Sequence, residues 1–320
     1  MEESLLGYSD SLQFSLEPSV FSVFLICGVL FGILTAFFRS GITGISKDSV
    51  INIALFSIPL GVLGARIVFC LYHCDRLIDG GFAYIIHMEN GGFSFIGATI
   101  GLFIALLVVH LISHENLIAI ADTILPGLLI VLAMERFGEQ FTENGIGLEI
   151  ELPGLSFFPI TRSGPYEDTS VLAVNLFEGM TALITALYTV RLKRSPGQIT
   201  GICLIIVLAI QIIWETLRRD DRLMLDMASF LMIFCAVALF IYFVFLLIFS
   251  KSSWVRKTIY AICFTGAYIL IGLSQFFMDG KILLNVPISL CLFLTTISVI
   301  GVIYIMLQTL LRNTFHSSNL

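Results

Sequence analysis

Nine stretches of about 20 apolar residues constrain the fold of this chain more than any other feature. A helix needs roughly 20 residues to cross the ~30 Å hydrocarbon core of a bilayer. Lipid offers no hydrogen-bond partner to an open sheet edge, so each stretch is expected to form a helix. The predicted spans cover residues 19–38, 50–72, 93–113, 117–137, 170–190, 199–217, 227–250, 258–278 and 283–311.

The composition agrees with a membrane protein. Of the 320 residues, 58% are hydrophobic, and the mean hydropathy is +0.99. Soluble domains are typically about 45–50% apolar, and a soluble chain of this length could not bury so much apolar surface. The fold class is therefore predicted to be all-α, a polytopic transmembrane helical bundle. Because position relative to the bilayer matters more than total charge, the net charge of −6 says little about partners.

The cysteines indicate no cross-linked or metal-bound framework. The chain has seven, and most of them lie inside apolar runs. The Cys70 and Cys74 spacing has no matching pair elsewhere, so neither disulfides nor a zinc site are predicted. No cofactor and no nucleic-acid partner are expected.

Two segments outside the spans stand out. Residues 138–169 are rich in Gly, Pro and charge and are predicted to form a loop cap. Residues 77–92 place aromatic residues between Gly pairs, which suggests an interfacial or re-entrant element. An internal repeat of the kind that marks many transporters is not evident.

Lys and Arg residues beside the spans predict the orientation, since they are enriched on the cytoplasmic side. With the N-terminus outside, the inner side holds nine of them and the outer side seven. Four of the outer seven belong to the motif ETLRRDDR or are Arg136 itself. Without those four the bias is clear, so the N-terminus is predicted outside and the C-terminus in the cytoplasm.

The basic residues that break this orientation pattern are candidates for binding an anion. Arg136 follows an apolar helical run beginning at Pro126 and is flanked by Glu135 and Glu139. A charge at bilayer depth costs a few kcal/mol, so such residues are usually functional or paired. One interpretation is that these cations hold a lipid phosphate at the outer leaflet; the other is that each pairs with a neighbouring acid.

Three further polar positions lie within the predicted spans. Arg66 lies deep in the second span, where a buried Arg is nearly always paired or faces a wet cavity. Glu178 and Asn175, three residues apart, lie near the middle of the fifth span. Asp122 in the fourth span is expected to be structural.

The sixth span carries a polar stripe. Helical spacing places its four members on one face, from amide through carboxylate to guanidinium: Gln211, Glu215, Arg218 and Arg222. Such a stripe would suit a lipid headgroup cavity, because guanidinium groups grip phosphate with paired hydrogen bonds. An intrahelical ion pair with solvated ends is the alternative.

The order of these motifs resembles the prolipoprotein diacylglyceryl transferase family over about residues 12–250. Five segments carry the resemblance in chain order: GARIVF, NGGFSFIGATIG, ADTILPGLLIVLAMERFGEQFTENGIG, NLFEGM and QIIWETLRRDD. The resemblance implies a transferase-like membrane domain of seven spans in residues 1–250, with 138–169 as its outer cap. Residues 251–320 would add a C-terminal membrane segment of two helices.

The resemblance also implies a reaction. A diacylglyceryl group would pass from phosphatidylglycerol to the lipobox cysteine thiol of a prolipoprotein, in contact with membrane lipids at a bacterial cytoplasmic membrane. Residues at matching motif positions are implied to be catalytic, namely Arg136, Glu143 and Glu215. Others are implied to bind substrate, namely Arg66, Gly138, Asn144, Glu178, Gln211 and Arg218.

Several motif positions depart from the family pattern. The chain replaces a His, a Gly, an Asn, a Tyr and an Arg of that pattern by Ile96, Ala98, Glu139, Phe177 and Gln211. These departures leave a second hypothesis open, a non-catalytic paralogue that binds lipid or lipoprotein. A third, a transporter, is disfavoured by the lack of a repeat.

Overall fold

The computed structural model describes residues 20–74, 77–78, 81, 84–85, 93–142, 145–149, 159–163, 170–219, 224–225, 228–250, 252–278 and 288–315. Long helices dominate these residues: α1 (Val20–Thr43), α2 (Lys47–Tyr72), α3 (Phe95–Ser113), α4 (Leu117–Gly138), α5 (Val174–Val190), α6 (Gln198–Leu217), α7 (Phe230–Phe249), α8 (Trp254–Met278) and α9 (Ile288–Phe315). The short strands are β1 (Ile146–Glu149), β2 (Thr161–Ser163), β3 (Ser170–Ala173), β4 (Met224–Leu225) and β5 (Ala228–Ser229). The protein is an all-α, multi-pass membrane bundle.

Eight of the described helices are long and apolar enough to span a bilayer, and the fifth predicted span is the exception. That run was expected to cross the membrane from residue 170 to 190, but α5 has 17 residues. Its first four positions, Ser170–Ala173, form β3 instead and pair with β1 and β2. α5 packs against both α4 and α6. Its other face carries exposed apolar side chains, among them Ile184 and Leu187.

Alternating helices give the bundle two distinct ends. We call the end that carries the described residues 138–142, 145–149, 159–163, 170–173, 218–219, 224–225 and 228–229 the cap end. The opposite turn end carries the short connections at residues 44–46, 114–116 and 191–197. Residues 114–116 alone separate α3 from α4.

A single arginine ties three helices together at the turn end. Arg39 of α1 is 1% exposed. Its Nε donates to the Asp122 carbonyl of α4 at 2.8 Å. Its Nη1 donates to the carbonyls of Thr189 and Val190, at 2.7 and 2.9 Å, where α5 ends. Carbonyls at helix C-termini lack helical partners, so a buried guanidinium satisfies groups that lipid could not.

Asp122 has the structural role expected for it. Its carboxylate accepts from the backbone amides of Gly197 and Thr200, both at 2.7 Å, and from the Thr200 hydroxyl at 2.6 Å. These amides belong to the N-cap residue of α6 and to its first turn, whose N–H groups have no helical acceptor. A carboxylate there also complements the positive end of the helix dipole.

Glycines allow two helix pairs to touch backbone to backbone. Gly32 of α1 faces Gly127 of α4, and a Cβ on Gly32 would lie 2.9 Å from the Gly127 carbonyl oxygen. In the α2–α3 pair, Gly64 faces Gly97 and Gly101, and a Cβ on Gly101 would overlap the Leu60 carbonyl. Close approach through small residues is a common way to pack helices in lipid, where no hydrophobic force acts between them.

Apolar side chains form separate clusters on the two sides of α5. One lies between α1, α2, α3 and α4 and includes Val50, Val109 and Ile120. The larger one lies between α6, α7, α8 and α9 and includes Leu239 and Phe264. The two C-terminal helices α8 and α9 therefore pack against α6 and α7 as part of the same bundle.

The predicted loop cap 138–169 contributes β1 and β2 to a small antiparallel sheet, which β3 completes in the order β1-β3-β2. Gly147 of β1 also pairs with Arg218, just beyond α6, and the Arg219 amide donates to the Ile146 carbonyl at 2.7 Å. The sheet thus fixes the end of α6 against the start of α5. The predicted interfacial element 77–92 falls mostly outside the described residues.

We expect Gly101→Ala to destabilise the bundle, because its Cβ would overlap the Leu60 backbone, which cannot rotate away. Overpacking of this kind costs typically about 1–3 kcal/mol. Thermal unfolding in detergent should show a clear loss of Tm. Gly272→Ala in α8 is the matched control, since a Cβ there meets no atom within 4 Å. Equal Tm values for the two variants would contradict the close α2–α3 contact.

Candidate functional site

The charged residues of α4 belong to a buried network that we call the Arg–Glu cluster. Its members come from the ends of three helices and the 3-10 turn that follows α4: Glu135, Arg136, Glu139, Glu178, Gln211, Glu215 and Arg218. All three helices end or begin at the cap end, which gathers residues that are far apart in the chain. Asp122, at the other end of α4, is 14 residues before Arg136, or about 21 Å along the helix axis.

Arg136 is the centre of the network on the α4 side. Its Nη1 donates to Glu139 Oε1 at 2.5 Å. Its Nε lies 3.0 Å from Glu178 Oε2 and 3.5 Å from Glu135 Oε2. Arg136 therefore forms ion pairs with Glu135 and Glu139 of its own segment and with Glu178 of α5.

Arg218 approaches the same carboxylates from α6. The helix ends at Leu217, so Arg218 has extended backbone, with φ −70° and ψ 146°. Its Nη1 lies 3.0 Å from Glu178 Oε2, and its Nη2 lies 3.8 Å from Glu139 Oε2. Two guanidinium groups from separate helices thus share Glu178 and Glu139.

The polar face of α6 completes the network. Gln211 Nε2 donates to Glu178 Oε1 at 2.8 Å and to Glu215 Oε1 at 3.3 Å. The Ser229 hydroxyl, at the end of β5, donates to Glu215 Oε2 at 2.5 Å. The predicted stripe therefore holds for Gln211 and Glu215, whereas Arg218 lies beyond the helix.

Burial makes this network electrostatically strong. The side chains of Arg136, Arg218, Glu139 and Glu178 are all at most 8% exposed. A buried ion costs several kcal/mol in lost hydration, and only close partners with good geometry offset that loss. Arg136 does pair with its neighbouring acid Glu139, as one interpretation of the sequence predicts, but Arg136 and Arg218 also share Glu178 of α5.

Asn175 and two glycines shape the surroundings of the cluster. Asn175 is fully buried, and its Nδ2 donates to the Arg136 carbonyl at 3.2 Å. Gly138 lies where α4 meets α1, and a Cβ there would lie 3.1 Å from the Phe24 side chain. Gly145 has a φ of +75°, and a Cβ there would lie 2.5 Å from Asn175 and 3.1 Å from Glu139 Oε2. Only glycine fits this position without strain.

Arg66 is buried near the cap end but has different partners. Its Nε donates to the Ile85 carbonyl at 3.0 Å, and its Nη2 donates to the Tyr84 carbonyl at 2.6 Å. The guanidinium also lies 5.6 Å from the centroid of the Phe69 ring. Arg66 therefore secures the segment after α2, while Arg136 and Arg218 bind the shared carboxylates.

Of the residues predicted from sequence, the structure brings together Arg136, Glu178, Gln211, Glu215 and Arg218. Three other residues of the sequence analysis, Glu143, Asn144 and Arg222, lie outside the described residues. Their relation to the cluster remains a prediction.

Three residues that contact the cluster or the turn after α4 were not predicted from the sequence. Arg162 in β2 donates to the carbonyls of Glu139 and Thr142, the first at 3.2 Å, and so braces the turn after α4. Ser229 binds Glu215, and Gly145 abuts Asn175. A lone Arg, Ser or Gly in a loop carries no periodic signal, so only the fold could identify them.

The sequence of this chain was compared with those of known proteins and protein families. The sequence profile described as prolipoprotein diacylglyceryl transferase matches residues 11–249. The match includes every member of the Arg–Glu cluster and ends at the last residue of α7. Helices α8 and α9 lie beyond it.

Three curated relatives share the name phosphatidylglycerol--prolipoprotein diacylglyceryl transferase. The protein of Clostridioides difficile (strain 630) is 27% identical over 140 residues, which are 44% of this chain and 56% of that protein. The protein of Finegoldia magna is 22% identical over 208 residues, covering 65% of this chain and 82% of the relative. The protein of Mannheimia succiniciproducens is 28% identical over 231 residues, which cover 69% of this chain and 85% of that protein.

We expect Glu178→Ala to destabilise the protein by about 3–5 kcal/mol, because it leaves two buried guanidinium groups without their shared carboxylate. Thermal unfolding in detergent would measure the effect. Glu149→Ala, at an exposed position of β1, is the control and should stay within about 0.5 kcal/mol of the native protein. A Glu178→Ala variant as stable as the control would mean that Arg136 and Arg218 do not depend on this carboxylate.

Proposed function

Because the chain belongs to the prolipoprotein diacylglyceryl transferase family, we propose that it transfers a diacylglyceryl group from phosphatidylglycerol to the lipobox cysteine of prolipoproteins. In this reaction the cysteine sulfur bonds to the terminal glyceryl carbon. The bond between that carbon and the phosphate oxygen breaks, and its electron pair leaves with glycerol phosphate. The thiol proton passes to a base.

The observation that carries this proposal is the convergence of Arg136 and Arg218 on one buried site. A departing phosphate gains negative charge, and fixed cations in a water-poor environment stabilise such charge strongly. The guanidinium group suits phosphate because its planar donors match two oxygens at once. In our proposal Arg136 and Arg218 hold the phosphate, while Glu178 and Glu139 keep the two guanidinium groups oriented.

The remaining residues have supporting roles in this proposal. Gln211 and Glu215 position Glu178 and through it both cations. Arg66 fixes the segment at Tyr84 and Ile85, which would border the headgroup. Glu143 is the candidate for activating the thiol, with Asn144 and Gly138 beside the substrate.

We also propose that the site faces the outer leaflet of a bacterial cytoplasmic membrane, with the C-terminus in the cytoplasm. The turn end, which would then be cytoplasmic, carries Lys47, Arg191, Lys193 and Arg194. This distribution agrees with the enrichment of basic residues on the cytoplasmic side. Residues 1–250 would form the transferase domain, and α8 and α9 would be an addition to it.

A second function, a non-catalytic binding protein, draws on one specific observation. At Gln211 the chain has an amide where the family pattern has a cation, and that amide hydrogen-bonds Glu178. The phosphate would then meet fewer free positive charges. Incubation with phosphatidylglycerol and a lipobox peptide separates the two functions, since only the transferase yields a thioether product detectable by mass spectrometry.

We expect Arg136→Ala to lower the transfer rate by at least about 10²-fold, the usual effect of removing a charge-stabilising donor. Arg136→Lys keeps the positive charge but loses the paired geometry, so it should retain more activity than the alanine variant. Arg191→Ala, an exposed residue of the turn end, is the control and should match the native rate. Unchanged activity in a folded Arg136→Ala protein would remove Arg136 from the mechanism.

We further expect Gln211→Arg to raise the transfer rate, because it adds a cation within reach of Glu178 and Glu215. The variant should show a higher kcat in the same peptide assay. A rate no higher than that of the native protein would mean that the missing cation does not limit catalysis.

A further inference from the structure

The turn end contains a cavity of about 100 Å³ between α1, α4 and the connection from α5 to α6. A single water molecule needs roughly 10–15 Å³ of such space, so the cavity has room for a larger group. Its lining includes the buried residues Arg39, Asp122 and Ile199 and the exposed residues Lys193 and Arg194. These residues lie at the opposite end of the bundle from the Arg–Glu cluster.

Arg39 has unused hydrogen-bond donors at this cavity. Its side chain is buried, and its Nε and Nη1 donate to backbone carbonyls of α4 and of the end of α5. Its Nη2, which carries two N–H groups, has no acceptor among the residues that the structure describes. Burying a charged donor without an acceptor is costly, so this atom is suited to a ligand that accepts hydrogen bonds.

The charges around the cavity favour an anion. The lining has three positive side chains, those of Arg39, Lys193 and Arg194, and one negative side chain, that of Asp122. Both carboxylate oxygens of Asp122 accept hydrogen bonds from backbone amides at the start of α6, which offset its charge. A guanidinium group matches phosphate in charge and in the geometry of its donors, so phosphate is the anion that fits.

The position of the cavity favours a phospholipid as the source of the phosphate. α1 ends at Thr43 and α4 begins at Leu117, and both helices are long and apolar enough to span a bilayer. Lipid headgroups lie beside the ends of such helices. Ile42 and Leu192 add apolar surface to the lining, which a lipid can contact and a free phosphate cannot. Basic pockets between membrane helices are a recurring way to bind anionic headgroups.

We propose that this cavity is a second anion site, in which Arg39 Nη2, Lys193 and Arg194 bind the phosphate group of an anionic phospholipid. In the proposed orientation this lipid belongs to the cytoplasmic leaflet. A free phosphate ester has the same chemistry and is the other possible source of the group. Binding here requires no turnover, so the site does not depend on the proposed transferase function.

Native mass spectrometry of the full-length protein, titrated in detergent with phosphatidic acid, resolves successive lipid-binding steps. Phosphatidic acid is used because its phosphate carries no further headgroup. We expect Lys193→Ala/Arg194→Ala to weaken one step about 30-fold, since each cation near a membrane surface strengthens the binding of an anionic lipid about fivefold. The other steps, including any at the Arg–Glu cluster, should keep their native affinity.

Lys47→Ala/Arg256→Ala is the matched control. It removes two exposed cations from the same end of the bundle, and neither residue belongs to the cavity lining. All lipid-binding steps should keep their native affinity in this variant. Equal weakening in the two double variants would indicate a general attraction of lipid to basic residues and would overturn the proposal.

Ala119→Leu tests whether the phosphate enters the cavity or only meets the cations at its edge. Ala119 lines the cavity, so a leucine there would fill part of it and leave all three cations in place. We expect the same step to weaken by about tenfold or more, the effect of losing a hydrogen bond to a charged group. Native affinity in a folded Ala119→Leu protein overturns the proposal, and if thermal unfolding shows that this variant does not fold, the double alanine variants decide.

Calorimetric titration with inorganic phosphate separates the two sources of the group. We expect inorganic phosphate to bind more weakly than phosphatidic acid, because it makes no apolar contacts. Equally tight binding that is lost in Lys193→Ala/Arg194→Ala would support the anion site and assign it to a free phosphate ester. If neither ligand depends on these two cations, the proposal is overturned. An inactive native protein would refute the proposed transferase function and leave these binding results unaffected.

Discussion

The site depends on one carboxylate shared by two guanidinium groups. Glu178 is within 3.0 Å of both Arg136 and Arg218 and also accepts from Gln211. In a protein surrounded by lipid, none of these groups could be buried alone, because each would lose its hydration without compensation. Together they fix the ends of α4, α5 and α6 at one place, so the interaction that stabilises the cap end also assembles the site.

The polar side chains at the two ends of the bundle bind different kinds of partner. At the turn end, Arg39 and Asp122 satisfy helix ends, and their hydrogen bonds go largely to backbone groups. At the cap end, the charged groups bind one another, and some acceptors have no hydrogen-bond donor among the described residues. Glu115 Oε2, at the turn end, likewise has no hydrogen-bond donor among the described residues.

The short helix α5 begins at the cap end, where it contributes two residues to the cluster and its surroundings. It starts after β3, and its first turns carry Asn175 and Glu178. Because β3 pairs with β1, and Gly147 of β1 pairs with Arg218, the sheet holds the start of α5 against the end of α6. A full-length spanning helix in this position would have extended past the cluster. The additional helices α8 and α9 lie on the far side of α6, where they extend the apolar packing without contributing to the cluster.

The sequence by itself determined the membrane class, eight of the spans and the family motifs, because apolar length and motif order are properties of the chain alone. It also identified five polar residues in or beside apolar spans, where such groups are costly and usually functional or paired, namely Arg136, Glu178, Gln211, Glu215 and Arg218. Tertiary structure alone decided which of them share partners: helical spacing predicts a common face, but it cannot tell which other helix meets that face. The sequence likewise could not show that Arg66 donates hydrogen bonds to the carbonyls of Tyr84 and Ile85. The shortening of α5 was likewise decided by long-range strand pairing, which leaves no local signal in an apolar run.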